Sequence, residues 1–219
     1  MSLFRLDASI RTEGSASRAL GDIVEAEWRR EHPDAAVTTR HIGIDPIPAT
    51  AWGDAVTAGW VAPEQRTPQQ VDAQALAATL VDELEAADAL LFAVPLYNFG
   101  PSQHFKTWVD LVIADPRMGP GTEHLKGKPA VVATVLGGNY SPGTPREGWD
   151  HSTGWIERVL GDVWGLDLQV VQREFTLVGV NPALDQFTDL AKDLADRAEV
   201  KAAEHGRFLA SRTGQRAAA

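Results

Sequence analysis

The sequence predicts an α/β fold in which a five-stranded parallel sheet lies between two layers of helices. Three observations carry this. Short apolar runs alternate with stretches of helical spacing along most of the chain. Two runs, "DALLFAV" at 88–94 and "AVVATVL" at 130–136, are continuously rather than alternately apolar, as strands covered on both faces are. Both end at punctuating residues, Pro95 after the first and Gly137–Gly138 after the second.

Leu3–Leu6 is the first strand. Leu20, Ile23, Val24 and Trp28 then recur at one helical face, and Ala35–Ile42 reads as the second strand. Residues 43–68 break the alternation. They hold Pro46, Pro48, Pro63 and Pro68 with Trp52 and Trp60, and read as an insertion. Its tryptophans either form a lid or interface, or cap the core. Val71, Leu76, Leu80, Val81 and Leu84 mark a helix over 68–87, before the third strand at 88–94. A helix over 101–114 follows, with Pro101 suited to its first turn and Lys106 and Asp110 spaced as an i, i+4 ion pair. The fourth strand is 130–136, and Trp155–Val163 reads as a helix. Leu168–Val171, with an extension toward Leu177, is the fifth strand. Leu184, Phe187, Leu190, Leu194 and Ala198 mark a long last helix. Residues 1–212 therefore read as one domain, and 213–219 as a disordered, Ala-rich tail. Five strands in this scheme imply a flavodoxin-like order.

Composition narrows the function. The 219 residues carry a net charge of −10, and a uniformly negative field repels nucleic acid. The absence of cysteine removes disulfides, thiolate metal sites and cysteine nucleophiles. No apolar run approaches the roughly 20 residues that span a bilayer. The N-terminus lacks the pattern of a secretory signal. The expectation is a cytoplasmic protein with no membrane insertion.

Ligands in such sheets sit beyond the carboxyl ends of the strands. That rule selects three loops. The first is "DASIRTEGSAS", 7–17. Ser9 ends the strand, Ser15, Ala16 and Ser17 open a helix, and Arg11 adds a cation. A helix N-terminus offers free N–H groups and partial positive charge, which suits a phosphate monoester. The alternative is that one serine caps the helix and the rest are solvated. Neither a nucleoside-triphosphate loop nor a G-x-G-x-x-G pattern is present.

The second loop runs from Pro95 through Leu96, Tyr97, Asn98 and Phe99, offering flat apolar surface and one amide. Such a turn could address the edge of a heteroaromatic ring, or Tyr97 and Phe99 could pack inward while Asn98 shapes the turn. The third loop follows Val135 and Leu136. Gly137–Gly138 there permits close approach of something flat. Tyr140 and His151 lie beyond, as candidate substrate contacts, and His151 alternatively caps the next helix. One ligand satisfies a phosphate cradle, a ring-edge turn and a glycine platform together: flavin mononucleotide.

At these residues the chain resembles the FMN-dependent NADH:quinone oxidoreductases and azoreductases of flavodoxin-like fold. The resemblance runs from about residue 3 to about 200. It is carried by "S-I-R-T-E-G-S-A-S" at 9–17, "P-L-Y-N-F" at 95–99, "F-K-T-W-V-D" at 105–110, and "K-G-K-P-A-V-V" followed by Gly137–Gly138. It implies that Ser9, Ser15, Ala16 and Ser17 hold the phosphate. Leu96, Tyr97, Asn98 and Phe99 would hold one flavin edge, and Val135, Leu136, Gly137 and Gly138 the other. It further implies electrons from NADH or NADPH, quinone or azo acceptors, a ping-pong scheme and a homodimer. The family often has Ser-Arg-Gly-Gly where this chain has Val135-Leu136-Gly137-Gly138, and residues 115–124 lack an aromatic that some relatives carry. An electron-transfer flavoprotein without nicotinamide turnover, and a flavin-free interaction protein, are the alternatives.

Overall fold

The computed structural model describes residues 1–119 and 121–217. Strand β1 (Ser2–Asp7) pairs on one side with β2 (Ala36–His41) and on the other with β3 (Ala89–Tyr97). Beyond β3 lie β5 (Pro129–Val135) and β6 (Asp167–Arg173), giving the order β2-β1-β3-β5-β6, all parallel. The remaining strand, β4 (Gly100–Pro101), turns back antiparallel onto the end of β3. The expected five-stranded parallel sheet is therefore present, with one short hairpin added.

The continuous apolarity of the central strands has its cause in two cores. Alternate side chains of a strand point to opposite faces. Phe4, Leu6, Leu90, Phe92 and Val132 face α3 (Pro68–Ala86) and α4 (Gln103–Ile113), meeting Leu80, Leu84, Phe105 and Trp108. Leu3, Leu91, Val131, Ala133 and Val135 face α1 (Ala16–Glu31) and α6 (Thr188–Ala217), meeting Leu20, Val24, Trp28, Ala202 and Leu209.

Several boundaries differ from expectation. The insertion at 43–68 contains α2 (Ala51–Ala58) and a turn at Pro63–Gln65. Trp52 and Trp60 are exposed, so they do not cap the core. Pro101 is not in the first turn of α4, because it pairs with Leu96; Ser102 caps that helix instead, its Oγ accepting from the Phe105 N–H at 3.2 Å. The helix over 155–163 is α-helical only in α5 (Thr153–Ile156) and then π-helical over Glu157–Val163. β6 ends at Arg173 rather than continuing to Leu177. The tail expected from 213 is helical to Ala217. Thr213 is fully buried there and accepts from Trp28 Nε1 at 3.2 Å, which locks α6 to α1. Ala218 and Ala219 lie outside the described residues.

Candidate functional site

At the carboxyl ends of β1, β3, β5 and β6 opens a cleft of about 1360 Å³. Ligand pockets commonly measure about 300–1,000 Å³. This cleft therefore has room for a cofactor and a second molecule.

The first loop forms one end of it. Ser15 is the N-cap of α1. Its Oγ accepts from the Arg18 N–H at 3.3 Å and lies 3.2 Å from Ser17 Oγ. The capping role open to one serine thus falls to Ser15, whose hydroxyl proton is free for a ligand when Ser17 is the donor between the two. The N–H groups of Ala16 and Ser17 lie in the first turn, where a helix has no acceptor for them. Ser9 is buried, its Oγ accepting from the Arg11 N–H at 3.3 Å and lying 3.3 Å from the Tyr97 hydroxyl. Ser17 has no exposed surface, so its hydroxyl acts through Ser15. Arg11 is exposed on the cleft wall.

A buried network holds this loop in place. Arg5 on β1 donates to Asp7 at 3.0 Å, to Asp22 at 2.7 Å and to Glu25 at 2.9 Å, tying the strand to α1. Burial disfavours its charge, but Asp7, Glu25 and Asp22 together raise the guanidinium above its ordinary range. Arg18 donates to the carbonyls of Arg11 and Thr12, which pins the outer turn.

The second loop is a two-residue hairpin. Tyr97 pairs with Gly100, and the two residues between them, Asn98 and Phe99, have φ of 49° and 68°. Positive φ at both central positions defines a type I′ turn, which asparagine tolerates and phenylalanine does not favour. Strained backbone of this kind collects at functional sites. Pro95, Leu96, Tyr97, Asn98 and Phe99 all line the cleft.

The third loop departs from expectation in part. Val135 and Gly137 line the cleft, but Leu136 and Gly138 do not. Leu136 is fully buried, its N–H donates to the Arg173 carbonyl at 2.9 Å, and its own carbonyl accepts from Thr176. Gly138 is covered as well, since a Cβ there would meet Arg146 Nη1 at 3.1 Å. At Gly137 a Cβ would meet Leu177 Cδ1 at 2.7 Å. The close approach these glycines allow is therefore made by Leu177 and Arg146 of the protein itself.

Tyr140 and His151 both line the cleft. His151 does not cap the next helix. Ser152 holds the N-cap position, and the Asp150 carboxylate two residues earlier accepts from the Ser152 N–H at 2.8 Å and the Thr153 N–H at 3.0 Å. The His151 N–H donates instead to the Phe99 carbonyl at 2.9 Å, which clasps the third loop to the second. Arg146 lies over the rings of Phe99 and Tyr140, at 5.9 and 5.8 Å from their centroids. Lys106 reaches both Asp110 oxygens at 2.6 Å, as its spacing predicts.

Sequence reasoning missed a fourth wall. Arg173, Thr176 and Leu177 line the cleft from the end of β6 onward. The carboxyl-end rule covers this strand too, but the expected extension to Leu177 placed these residues inside the sheet. It also missed Gly43, which does not line the cleft but packs against Ser9, which does. A Cβ there would overlap the Ser9 carbonyl.

A doubly wound parallel sheet with an anion-suited helix terminus and a strained turn over one cleft defines a nucleotide-binding α/β protein. The comparisons with known proteins are specific. The sequence profile of the flavodoxin-like fold matches residues 1–200. A Frankia casuarinae protein named FMN-dependent NADH:quinone oxidoreductase is 38% identical over 212 residues, covering 95% of this chain and 98% of the relative. A Frankia alni protein of the same name is 42% identical over 191 residues, covering 86% and 90%. Among solved structures, an azoreductase from Bacillus anthracis str. Sterne superposes with TM-score 0.77 at 19% identity, covering 95% of this chain and 99% of that one. That likeness concerns the fold. The chain belongs to the flavodoxin-like family that contains the FMN-dependent NADH:quinone oxidoreductases.

Proposed function

We propose that the protein binds FMN in this cleft and passes two electrons from NADH to quinones, with NADPH as a second donor and azo compounds as further acceptors. The observation that carries this reading is the 38% identity, end to end, with a relative of that name. The cleft supports it. Its donor set fits a phosphate monoester: a hydroxyl at Ser15, a second at Ser9, and the N–H groups of Ala16 and Ser17 at the positive end of α1.

When bound, FMN would supply the two-electron chemistry that no side chain here has. The protein's own part is positioning. Ser9, Ser15, Ala16 and Ser17 hold the phosphate, with Arg11 beside it. The type I′ turn from Tyr97 to Gly100 fixes one edge of the ring site, and Val135 and Gly137 bound the other. Leu136 and Gly138 support that edge from beneath. Tyr140 and His151 stand in the cleft as hydrogen-bond donors for an acceptor oxygen.

We further assign a homodimer and a cytoplasmic location. Ile10, Phe99 and Trp149 are exposed apolar side chains around the cleft and its clasp, which suits a covered surface. Sedimentation as a fully active monomer would remove the dimer.

The test is direct. The purified protein, titrated with FMN, is expected to bind it with quenched flavin fluorescence. It should then oxidise NADH with benzoquinone, giving parallel double-reciprocal plots. Ser15→Asp puts a carboxylate against the phosphate and is expected to yield apo-protein of normal fold. Unaltered flavin affinity in that variant would overturn the phosphate assignment.

A further inference from the structure

The cleft is a cationic hollow in an acidic protein. The chain has 30 acidic and 20 basic residues. Among the described residues that line the cleft there is no aspartate or glutamate, yet Arg11, Lys106, Arg146 and Arg173 do line it. Lys106 is neutralised by Asp110. Arg173 is not neutralised. Its Nε is buried with no hydrogen-bond partner, and no carboxylate pairs with it among the described residues. The adjacent carboxylate, Glu174, is turned to other work: it accepts from the Tyr140 N–H at 2.7 Å and from Ser141 Oγ at 2.9 Å. Arg146 is exposed, has no carboxylate partner among the described residues, donates to the Tyr140 hydroxyl at 3.4 Å and lies over the rings of Phe99 and Tyr140.

Nη1 and Nη2 of Arg173 have no hydrogen-bond partner among the described residues and are not closed off as Nε is, so they are the donors that an anion in the cleft can reach. A half-buried charged donor left without an acceptor is a group that a ligand can complete. The anion that completes Arg173 is not the phosphate at α1. Arg173 ends β6 and Ser9 follows β1, and β3 and β5 lie between these strands. Three strand spacings amount to about 14 Å. We propose that Arg173 and Arg146 form a second anion subsite, which binds the carboxylate or sulfonate of an aromatic acceptor whose ring packs against Phe99 and Tyr140. The reading rests on the flavin-dependent function above and deepens it: the preferred acceptors are aromatic acids rather than neutral quinones. The other anion that enters this cleft is the pyrophosphate of the nicotinamide donor, and the experiment separates the two.

The FMN-loaded protein is assayed with a matched pair of acceptors, 1,4-naphthoquinone and its 2-sulfonate. The ratio of kcat/KM for the sulfonate over the neutral quinone is expected to fall at least tenfold in Arg173→Gln, and to fall less in Arg173→Lys, which keeps the charge. Calorimetric titration with naphthalene-2-sulfonate, which cannot be reduced, should show a matching loss of affinity in Arg173→Gln and Arg146→Gln. An unchanged ratio overturns the proposal. An unchanged ratio together with a raised KM for NADH overturns it in favour of a donor-phosphate site. A wild-type protein that binds no FMN marks failure of the flavin reading instead, and the sulfonate titration still reports on Arg173.

Discussion

A Cβ built on Gly43 would overlap the carbonyl of Ser9 and press on Ala8. Gly43 lies outside the cleft, just after β2, so its role is to let the first loop settle against the sheet edge. Its N–H donates to the Asp7 carbonyl at 3.4 Å, which holds the same contact from the other side. Gly43→Ala must therefore push Ser9 toward the cleft or away from β2. Overpacking of this kind costs about 1–3 kcal/mol. If that strain is relieved by moving the loop, flavin affinity is expected to drop about tenfold, equivalent to about 1.4 kcal/mol. Fluorescence titration with FMN checks it, and an unaltered dissociation constant would show that the strain is absorbed elsewhere. The same residue-scale logic explains Phe99. Left-handed backbone costs a side chain about 1–2 kcal/mol. Here Phe99 is held there by the β4 pairing, the His151 N–H bond and edge-on contact with Trp149 at 5.4 Å.

At the scale of elements, the C-terminus of α3 is closed by a side chain from β5's approach. Lys128 is buried, and its Nζ donates to the carbonyls of Leu84, Glu85 and Ala87 at 2.7, 2.9 and 2.6 Å. These are carbonyls that the end of a helix leaves without N–H partners, and a cation suits that pole. Lys128→Met keeps the apolar stem but leaves the carbonyls unsatisfied. The expected cost is about 2 kcal/mol. That corresponds to a Tm lower by about 4–8 °C for a chain of this size. Calorimetry or thermal circular dichroism reads it, and an unshifted Tm would mean that water replaces the lysine. The elements differed in how far sequence revealed them. The strands of the double core were legible because burial on both faces writes a continuous apolar run. The Ser15 helix start was legible because capping is local. The β4 hairpin was not, since Pro101 fits a first helical turn equally well and only pairing with Leu96 decides otherwise. The end of β6 was hidden for a related reason. Phe175, Thr176 and Leu177 are as apolar or β-prone as a strand, but their N–H groups donate to Gly138, Leu136 and Gly137, beyond the ladder. Gly43 gives no signal in sequence, because its need is set by a backbone that packs on it from another strand.

Across the whole molecule, groups that do not line the cleft contribute to the response of stability to pH. His205 on α6 is buried, with Nε2 at 3.2 Å from the Val170 carbonyl of β6. Burial lowers its pKa below 6.5. The Val170 carbonyl works in the opposite direction, Lys201 adds to the lowering, and Glu204 opposes it. Above about pH 6.5 the ring is neutral in folded and unfolded chains alike, and it costs nothing. Below that value the unfolded chain takes up a proton that the folded one refuses, so stability falls as pH falls. Glu25 and Asp115 act at lower pH. Burial opposes the charge of Glu25, but Arg29 and Arg5 lower its pKa overall. Hydrogen bonds from Arg117 lower that of Asp115. Their contribution is present above the ordinary carboxylate range and is lost as pH falls through their lowered values. Acid destabilisation should therefore come in two stages, a histidine stage below about pH 6.5 and a carboxylate stage below about pH 4.5. His205→Gln removes the titrating ring and keeps a donor that can reach the Val170 carbonyl. In that variant Tm is expected to be flatter than wild type between about pH 7 and about pH 5, with the carboxylate stage unchanged. Parallel Tm curves for the two proteins across that interval would assign the first stage to another group.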